Sequence, residues 1–319
     1  MKTEEPRPGR PGHPVACYLL ATRPPFLLVT LIAVGIGIAT AYHSAESLHP
    51  LAAFLTLLGA LLAHAGANVL NDYYDALSGC DDHNHERLYP FTGGSRFIQN
   101  GLLTPRQTLR FGLLLLLATA LIGLALLPYA GPLLLALGCT GLLLGWAYSA
   151  PPLALNSRGL GELTIAIAFG PLLVVGSDLV QRGTLHPLPL YASLAYGLLT
   201  AALLYINQFP DRRADALSGK HHWVVRLGPH RARWGYLLLT LLANLILLLL
   251  VATQQLPALA LLALLSLPLS LLAARDLLQY ADQPAHLCRA IPLTILALSS
   301  HGVLLILALS VGGLSSSKY

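Results

Sequence analysis

Apolar residues fill this chain in long blocks, and polar residues are confined to the stretches between them. A membrane-crossing helix needs roughly 20 mostly apolar residues. Runs of that kind cover 18–41, 50–70, 110–128, 131–148, 161–180, 188–207, 234–252, 257–274 and 289–312, which predicts about nine crossings. The connections 128–131 and 252–257 are so short that the helices they join must be antiparallel hairpins. Two connections are long and polar, 72–109 and 208–233, and only they hold enough polar residues to build chemistry. The expected fold class is all-α, a multi-pass membrane bundle of about nine transmembrane helices.

Composition agrees with that pattern. Hydrophobic residues make up 55% of the 319 positions and charged residues 10%, with a mean hydropathy of +0.65. A soluble domain carries about 25% charged residues, so much of this chain's outer surface has to face lipid. Met1–Pro14 is polar and proline-rich, a composition that cannot bury enough apolar area to order itself. Residues 1–16 are therefore expected to be a disordered N-terminus, and 17–319 a single transmembrane domain. The first apolar run starts late, is too long for a signal peptide and lacks a small-residue cleavage site. The four cysteines are scattered without ligand spacing, which implies neither a disulfide framework nor a zinc site. The histidines of the polar stretches, among them His83, His85, His221 and His222, form no HExxH-type pattern and read as loop residues at a membrane surface.

The net charge of +5 acquires meaning from its distribution. With the N-terminus in the cytoplasm, seventeen of the 19 Lys and Arg residues fall on the cytoplasmic side, and only Arg182 and Lys318 fall outside. The positive-inside bias sets orientation, so both long polar loops are expected in the cytoplasm. That accounts for the basic balance and leaves no nucleic acid to be inferred.

The second apolar block runs into Asn68, Asn71, Asp72 and Asp75. If the helix continues, Asn68, Asp72 and Asp75 share one face at i, i+4 and i+7, with Asn71 beside it. The sixth block repeats the device with Asn207, Asp211 and Asp215 at i, i+4 and i+8, although Pro210 is expected to kink or break that helix. Carboxylates at membrane depth face a polar cavity and are usually functional. Two such clusters at one side of the membrane can converge, and hard oxygen donors of this kind suit Mg²⁺. Solvated helix ends paired with Arg212 and Arg213 are the bland reading, and the matched pair of clusters argues against it. Arg96, Lys220 and Arg226 lie in the two polar loops and are candidates to neutralise an anionic leaving group. Tyr73, Tyr74 and Tyr148 can steady a cation with their ring faces or sit in an interfacial aromatic belt. His64, one turn before Asn68, reads as a buried polar contact. Gly93-Gly94 permits a tight turn.

Asn71-Asp72-x-x-Asp75 and Asp211-x-x-x-Asp215 resemble the paired aspartate motifs of the UbiA superfamily of intramembrane prenyltransferases, and the resemblance runs from Arg23-Pro24-Pro25 through the last helix. Within it, Asn68-x-x-Asn71-Asp72-Tyr73-Tyr74-Asp75, with Gly79 and Asp81 after it, is similar to the branch that prenylates 1,4-dihydroxy-2-naphthoate in menaquinone synthesis. So are the stretches Gly94-Ser95-Arg96 to Leu103 and Gly219-Lys220 to Gly228. The 4-hydroxybenzoate branch carries an acid where this chain has Gly79. The resemblance implies a nine-helix plasma-membrane enzyme with a cytoplasm-facing cavity. Its Mg²⁺ ions would be held by Asn68, Asp72, Asp75, Asn207, Asp211 and Asp215, and its substrates would be a prenyl diphosphate and an aromatic acceptor, with membrane lipids around it. It further implies Asp72, Asp75, Asp211, Asp215 and Lys220 in catalysis and Asn68, Asn71, Arg96, Tyr148, Ser149, Asn207 and Arg226 on the substrates. Relatives often place a basic residue soon after the Tyr148-Ser149 position; here Arg158 takes that place. An ion-coupled transporter and a lipid-binding subunit are the readings from other classes. Transporter sites lie near the bilayer midplane, whereas these acids lie at helix ends, and a passive subunit gives no reason for two matched clusters.

Overall fold

Proline opens one long helix after another, because its fixed φ and missing N–H fit the first turn, where no intrahelical donor is needed. The computed structural model describes residues 5–6, 14–44 and 48–316. Helix α1 spans Pro14–Ala21, α2 Pro24–His43, α3 Pro50–Leu77 and α4 Pro105–Ala125. Then follow α5 Leu133–Ala147, α6 Gly161–Arg182, α7 Pro187–Leu217 and the short α8 Trp223–Leu227. Helices α9 Pro229–Ala252, α10 Ala258–Tyr280 and α11 Ala290–Ser316 complete the bundle. Among the described residues there is no strand.

Eight helices are long and apolar enough to cross a membrane. The block expected at 131–148 forms the ninth, α5, of only 15 residues. At 1.5 Å per residue that is about 22 Å, short of a hydrocarbon core about 30 Å thick. Two helices overshoot their expected ends. Helix α3 has 28 residues and α7 has 31, so both acid clusters ride on the helices themselves. Helix α7 continues through Pro210, where a kink or a local break was expected.

The first apolar block is divided at Arg23, which takes a left-handed conformation (φ 56°) between α1 and α2. The expectation of disorder over 1–16 therefore fails from Pro14 onward, where α1 begins. Tyr18 of α1 packs edge-on against Phe111, and Cys17 and Ala21 are buried against Phe97 and Leu103. It also fails at Glu5, whose carboxylate accepts from Arg87 at 2.9 Å. Residues 1–4 and 7–13 lie outside the described residues.

Helix α7 is the axis of the bundle. Its Tyr196, Ile206 and Phe209 are fully buried, and α2, α6, α9 and α11 pack around it. Helix α4 packs on α3 and turns Leu113, Leu114, Leu117, Leu121 and Leu124 outward, as a lipid-facing helix must. Helix α6 contains one π turn, Ala168–Leu172, where Gly170 leaves helical dihedrals ahead of Pro171. A Cβ on Gly197 of α7 would lie 2.5 Å from the Ala166 carbonyl oxygen, so glycine is what lets α6 and α7 touch there.

Candidate active site

A cavity of about 420 Å³ opens among α2, α3, α4, α5, α6 and α7. On α3 its lining runs from Thr56 to Asp75, a rise of about 28 Å. The wall is apolar or small over most of that length, with Gly59, Ala63, Leu126, Leu134 and Val180 among its members. Its polar end lies where α3 and α7 finish, under the 72–109 connection.

The α3 face behaves as its spacing predicts. Asp72, Asp75 and Asp215 are buried; Asp75 meets Asp215 of α7 through Lys220, while Asp72 turns to Arg23. Lys220 joins the two helices, its Nζ lying 2.8 Å from Asp75 Oδ1 and 3.3 Å from Asp215 Oδ1. His222 Nε2 lies 3.0 Å from Asp215 Oδ2, and the Cys80 thiol donates to Asp215 Oδ1 at 3.1 Å. Asp72 is paired with Arg23 and accepts from the Ser95 backbone N–H at 3.3 Å. Asp211 has neutral partners only, accepting from Asn84 Nδ2 at 2.6 Å and the Gly93 backbone N–H at 3.2 Å. Asn71 donates to Ser149 Oγ at 3.0 Å, and Asn68 donates to the Thr22 carbonyl at 3.0 Å, tying α3 to the α1–α2 junction.

Charge is crowded here. Burial pulls the Lys220 ammonium down, but the Asp75 and Asp215 carboxylates outweigh it and hold it well above the ordinary lysine range. Burial, reinforced by the Asp75 and Asp72 charges, drives Asp81 well above the ordinary carboxylate range. Burial likewise raises the Cys80 thiol. The buried oxygens Asp72 Oδ2, Asp81 Oδ2, Asn84 Oδ1 and Asn207 Oδ1 have no hydrogen-bond partner. Buried polar atoms are nearly always satisfied, so four unpaired hard acceptors around one cavity fit a divalent cation. Among the described residues no three His, Cys, Asp or Glu side chains converge tightly enough to enclose an ion alone. Mg²⁺ does not need them to, since it takes one or two carboxylates and completes its shell with water and phosphate.

Of the residues singled out from the sequence, Asn68, Asn71, Asp75, Tyr148, Asn207, Asp211, Asp215 and Lys220 line the cavity, and Asp72 stands just behind, against Arg23. Ser149 acts on Asn71. Arg96, itself left-handed (φ 68°), donates to the Asp81 carbonyl and faces Glu5. Arg158 and Arg226 lie outside the cavity lining, and both are assigned elsewhere: Arg226 donates to the Arg158 and His221 carbonyls and stacks 5.5 Å from the Trp223 ring. Tyr73 and Tyr74 contact each other edge-on and also stay off the lining. Sequence reasoning missed Arg23, Cys80, Asn84 and His222 as members of the site. For Arg23 the available signal was a cation at membrane depth immediately before Pro24-Pro25; the others looked like any polar loop residue.

Comparison with known proteins gives a consistent result. Residues 17–313 match the model of the UbiA prenyltransferase family. The 1,4-dihydroxy-2-naphthoate octaprenyltransferase of Escherichia coli (strain K12) is 33% identical over 222 residues, 68% of this chain and 70% of that one. The 2-carboxy-1,4-naphthoquinone phytyltransferase of Synechocystis is 29% identical over 267 residues, 84% of each chain. A UbiA homolog from Archaeoglobus fulgidus, solved bound to DMAPP and Mg²⁺, superposes with a TM-score of 0.66 at 17% identity, covering 91% of this chain and 98% of that one.

Proposed function

This chain belongs to the UbiA prenyltransferase family, and from that premise we propose that it transfers a prenyl group from a prenyl diphosphate to 1,4-dihydroxy-2-naphthoate, with loss of CO₂, for menaquinone synthesis. The observation that carries the reading is the junction of a crowded acidic pocket and a long apolar channel within one cavity. A diphosphate with its metals belongs at the first and an isoprenoid tail in the second. The naphthoate acceptor is supported by the names of the Escherichia coli and Synechocystis relatives.

Mg²⁺ would be held by Asn68, Asp72 and Asp75 on α3 and by Asn207, Asp211 and Asp215 on α7, where it would neutralise the diphosphate as the allylic C–O bond ionises. Lys220 sits between the clusters and turns its ammonium to the departing diphosphate. Asn71 and Ser149 orient the α3 face, and Tyr148 presents an aromatic ring to the allylic cation. The apolar wall from Ala63 to Thr56 excludes water from that cation, which would otherwise be hydrolysed.

Two experiments test the reading. In a competition at equal concentrations, with Mg²⁺ and a prenyl diphosphate, the prenylated naphthoate should exceed prenylated 4-hydroxybenzoate by about tenfold or more, a margin of about 1.4 kcal/mol. Dominance of the benzoate product removes the menaquinone assignment and leaves the prenyltransferase. The proposed plasma-membrane orientation is checked with a cysteine placed at position 83 in a chain whose exposed Cys139 and Cys288 are changed to serine. An impermeant thiol reagent should label it from the cytoplasmic face only, and labelling from outside reverses the orientation.

A further inference from the structure

In the reading above Asp72, Asp75, Asp211 and Asp215 are assigned to Mg²⁺, which leaves open what accepts the acceptor's hydroxyl proton. Arg23, Asp75, Cys80, Asp81, Tyr148, Asp211, Asp215, Lys220 and His222 all belong to the polar end; among the described residues the one other titratable side chain on the cavity wall is His64. On α3 it stands one turn below Asn68 and two below Asp72, at rises of about 6 and 12 Å. That places it on the cavity wall between the acids and the apolar stretch that runs on to Thr56.

The imidazole is fixed from two other helices. Its Nδ1 lies 2.8 Å from Thr30 Oγ1 of α2, and Thr30 is fully buried. Its ring meets Phe169 edge-on at 4.7 Å, with 69° between the planes. Phe169 reaches it from the π turn of α6, and π turns recur at functional sites. Here one nitrogen is satisfied, and Nε2 is the remaining nitrogen of a ring that lines the cavity. A side chain locked by packing and by a supporting hydrogen bond is what a working group requires.

We propose that His64 is a catalytic residue that binds the ring hydroxyl of the aromatic acceptor through Nε2 and takes its proton; the proposal rests on the prenyl-transfer reading above. In the tautomer that donates Nδ1–H to Thr30, Nε2 presents its lone pair to the cavity. As the O–H proton passes to Nε2, the oxygen's electron pair flows into the ring. The ring carbon bearing the carboxylate forms its bond to the allylic carbon, and the C–O bond to diphosphate breaks with its pair on the diphosphate. Loss of CO₂ returns a pair to the ring and the aromatic system re-forms. The ring oxygen then recovers its proton from the imidazolium, which leaves His64 as it began.

The test compares the purified wild-type protein with His64→Phe, which keeps a ring against Phe169, and with His64→Ala, which opens space. Turnover is measured with Mg²⁺, a prenyl diphosphate and 1,4-dihydroxy-2-naphthoate, and prenyl-diphosphate binding is measured separately. Both variants should lose about 10²- to 10⁴-fold in kcat while binding prenyl diphosphate as the wild type does. Imidazole added to the buffer should restore turnover to His64→Ala and not to His64→Phe, a response that a purely structural histidine would not give. Turnover of His64→Phe within about threefold of wild type overturns the assignment, since general-base removal costs far more. So does a loss in His64→Ala that imidazole leaves unrestored, whether or not binding has weakened. A wild-type protein that fails to prenylate the naphthoate overturns both this assignment and the acceptor reading, whereas an active wild type with indifferent variants overturns His64 alone.

Discussion

Changing Asp211 to asparagine should lower kcat by about 10³-fold, on the scale of removing one preorganised electrostatic group from a transition state, while leaving the fold undisturbed. The second half of that expectation comes from its partners. Asp211 accepts from Asn84, Thr92 and the Gly93 N–H, all neutral, so a neutral amide leaves no cation unpaired. The charge lost is one of several acids crowded at the polar end of the cavity, and its removal relieves repulsion in the metal-free protein. Asp72→Asn should lose turnover to a similar degree for a different structural outcome. It strands the Arg23 guanidinium, 19% exposed, beside a carboxamide, and should also lower thermal stability. Product formation and melting temperature, followed for both variants with and without Mg²⁺, separate the two effects. Near-native turnover in Asp211→Asn would remove the second aspartate cluster from the mechanism.

Replacing Lys220 by methionine should combine the two kinds of damage. In the metal-free protein Lys220 compensates Asp75 and Asp215 together, at 2.8 and 3.3 Å. Removing one partner of a buried ion pair costs about 3–5 kcal/mol because the remaining charge is uncompensated. Added Mg²⁺ should recover part of that loss by supplying another counter-charge to the same carboxylates. It should not recover turnover, which is expected to fall by about 10²- to 10³-fold for want of a cation on the departing diphosphate. A variant that melts with the wild type and turns over normally would show Lys220 to be a surface residue of the loop. A variant destabilised without Mg²⁺, stabilised by it, and still inactive is the expected result.

The sequence by itself determined what depends on neighbours along one helix. An apolar run of sufficient length must become a buried or lipid-facing helix, because an unpaired backbone group in hydrocarbon costs several kcal/mol. Eight of the nine expected crossings accordingly stand as long helices, and only the segment at 131–148 comes out short. The face carrying Asn68, Asp72 and Asp75 was legible for the same reason: a 3.6-residue period fixes it before any other helix is placed. Prolines at the first turns of α2, α3, α4, α7 and α9 mark starts that local chemistry alone sets.

Tertiary structure decided everything that needed two segments to meet. Arg23 reaches an aspartate 49 positions away because the chain breaks there between α1 and α2. Asn84 and His222 join the site only because the loops bearing them fold over the ends of α3 and α7. Arg158 and Arg226, which looked like diphosphate ligands, stand off the cavity lining and donate to loop carbonyls, Arg158 to Pro152 and Arg226 to Arg158 and His221. The π turn that carries Phe169 to His64 exists where Gly170 and Pro171 disturb α6 and Gly197 lets α7 come close. A helical period is a property of the chain, readable in one dimension. A partner across the bundle depends on which helices pack together and at what height, and no single stretch of sequence contains that information.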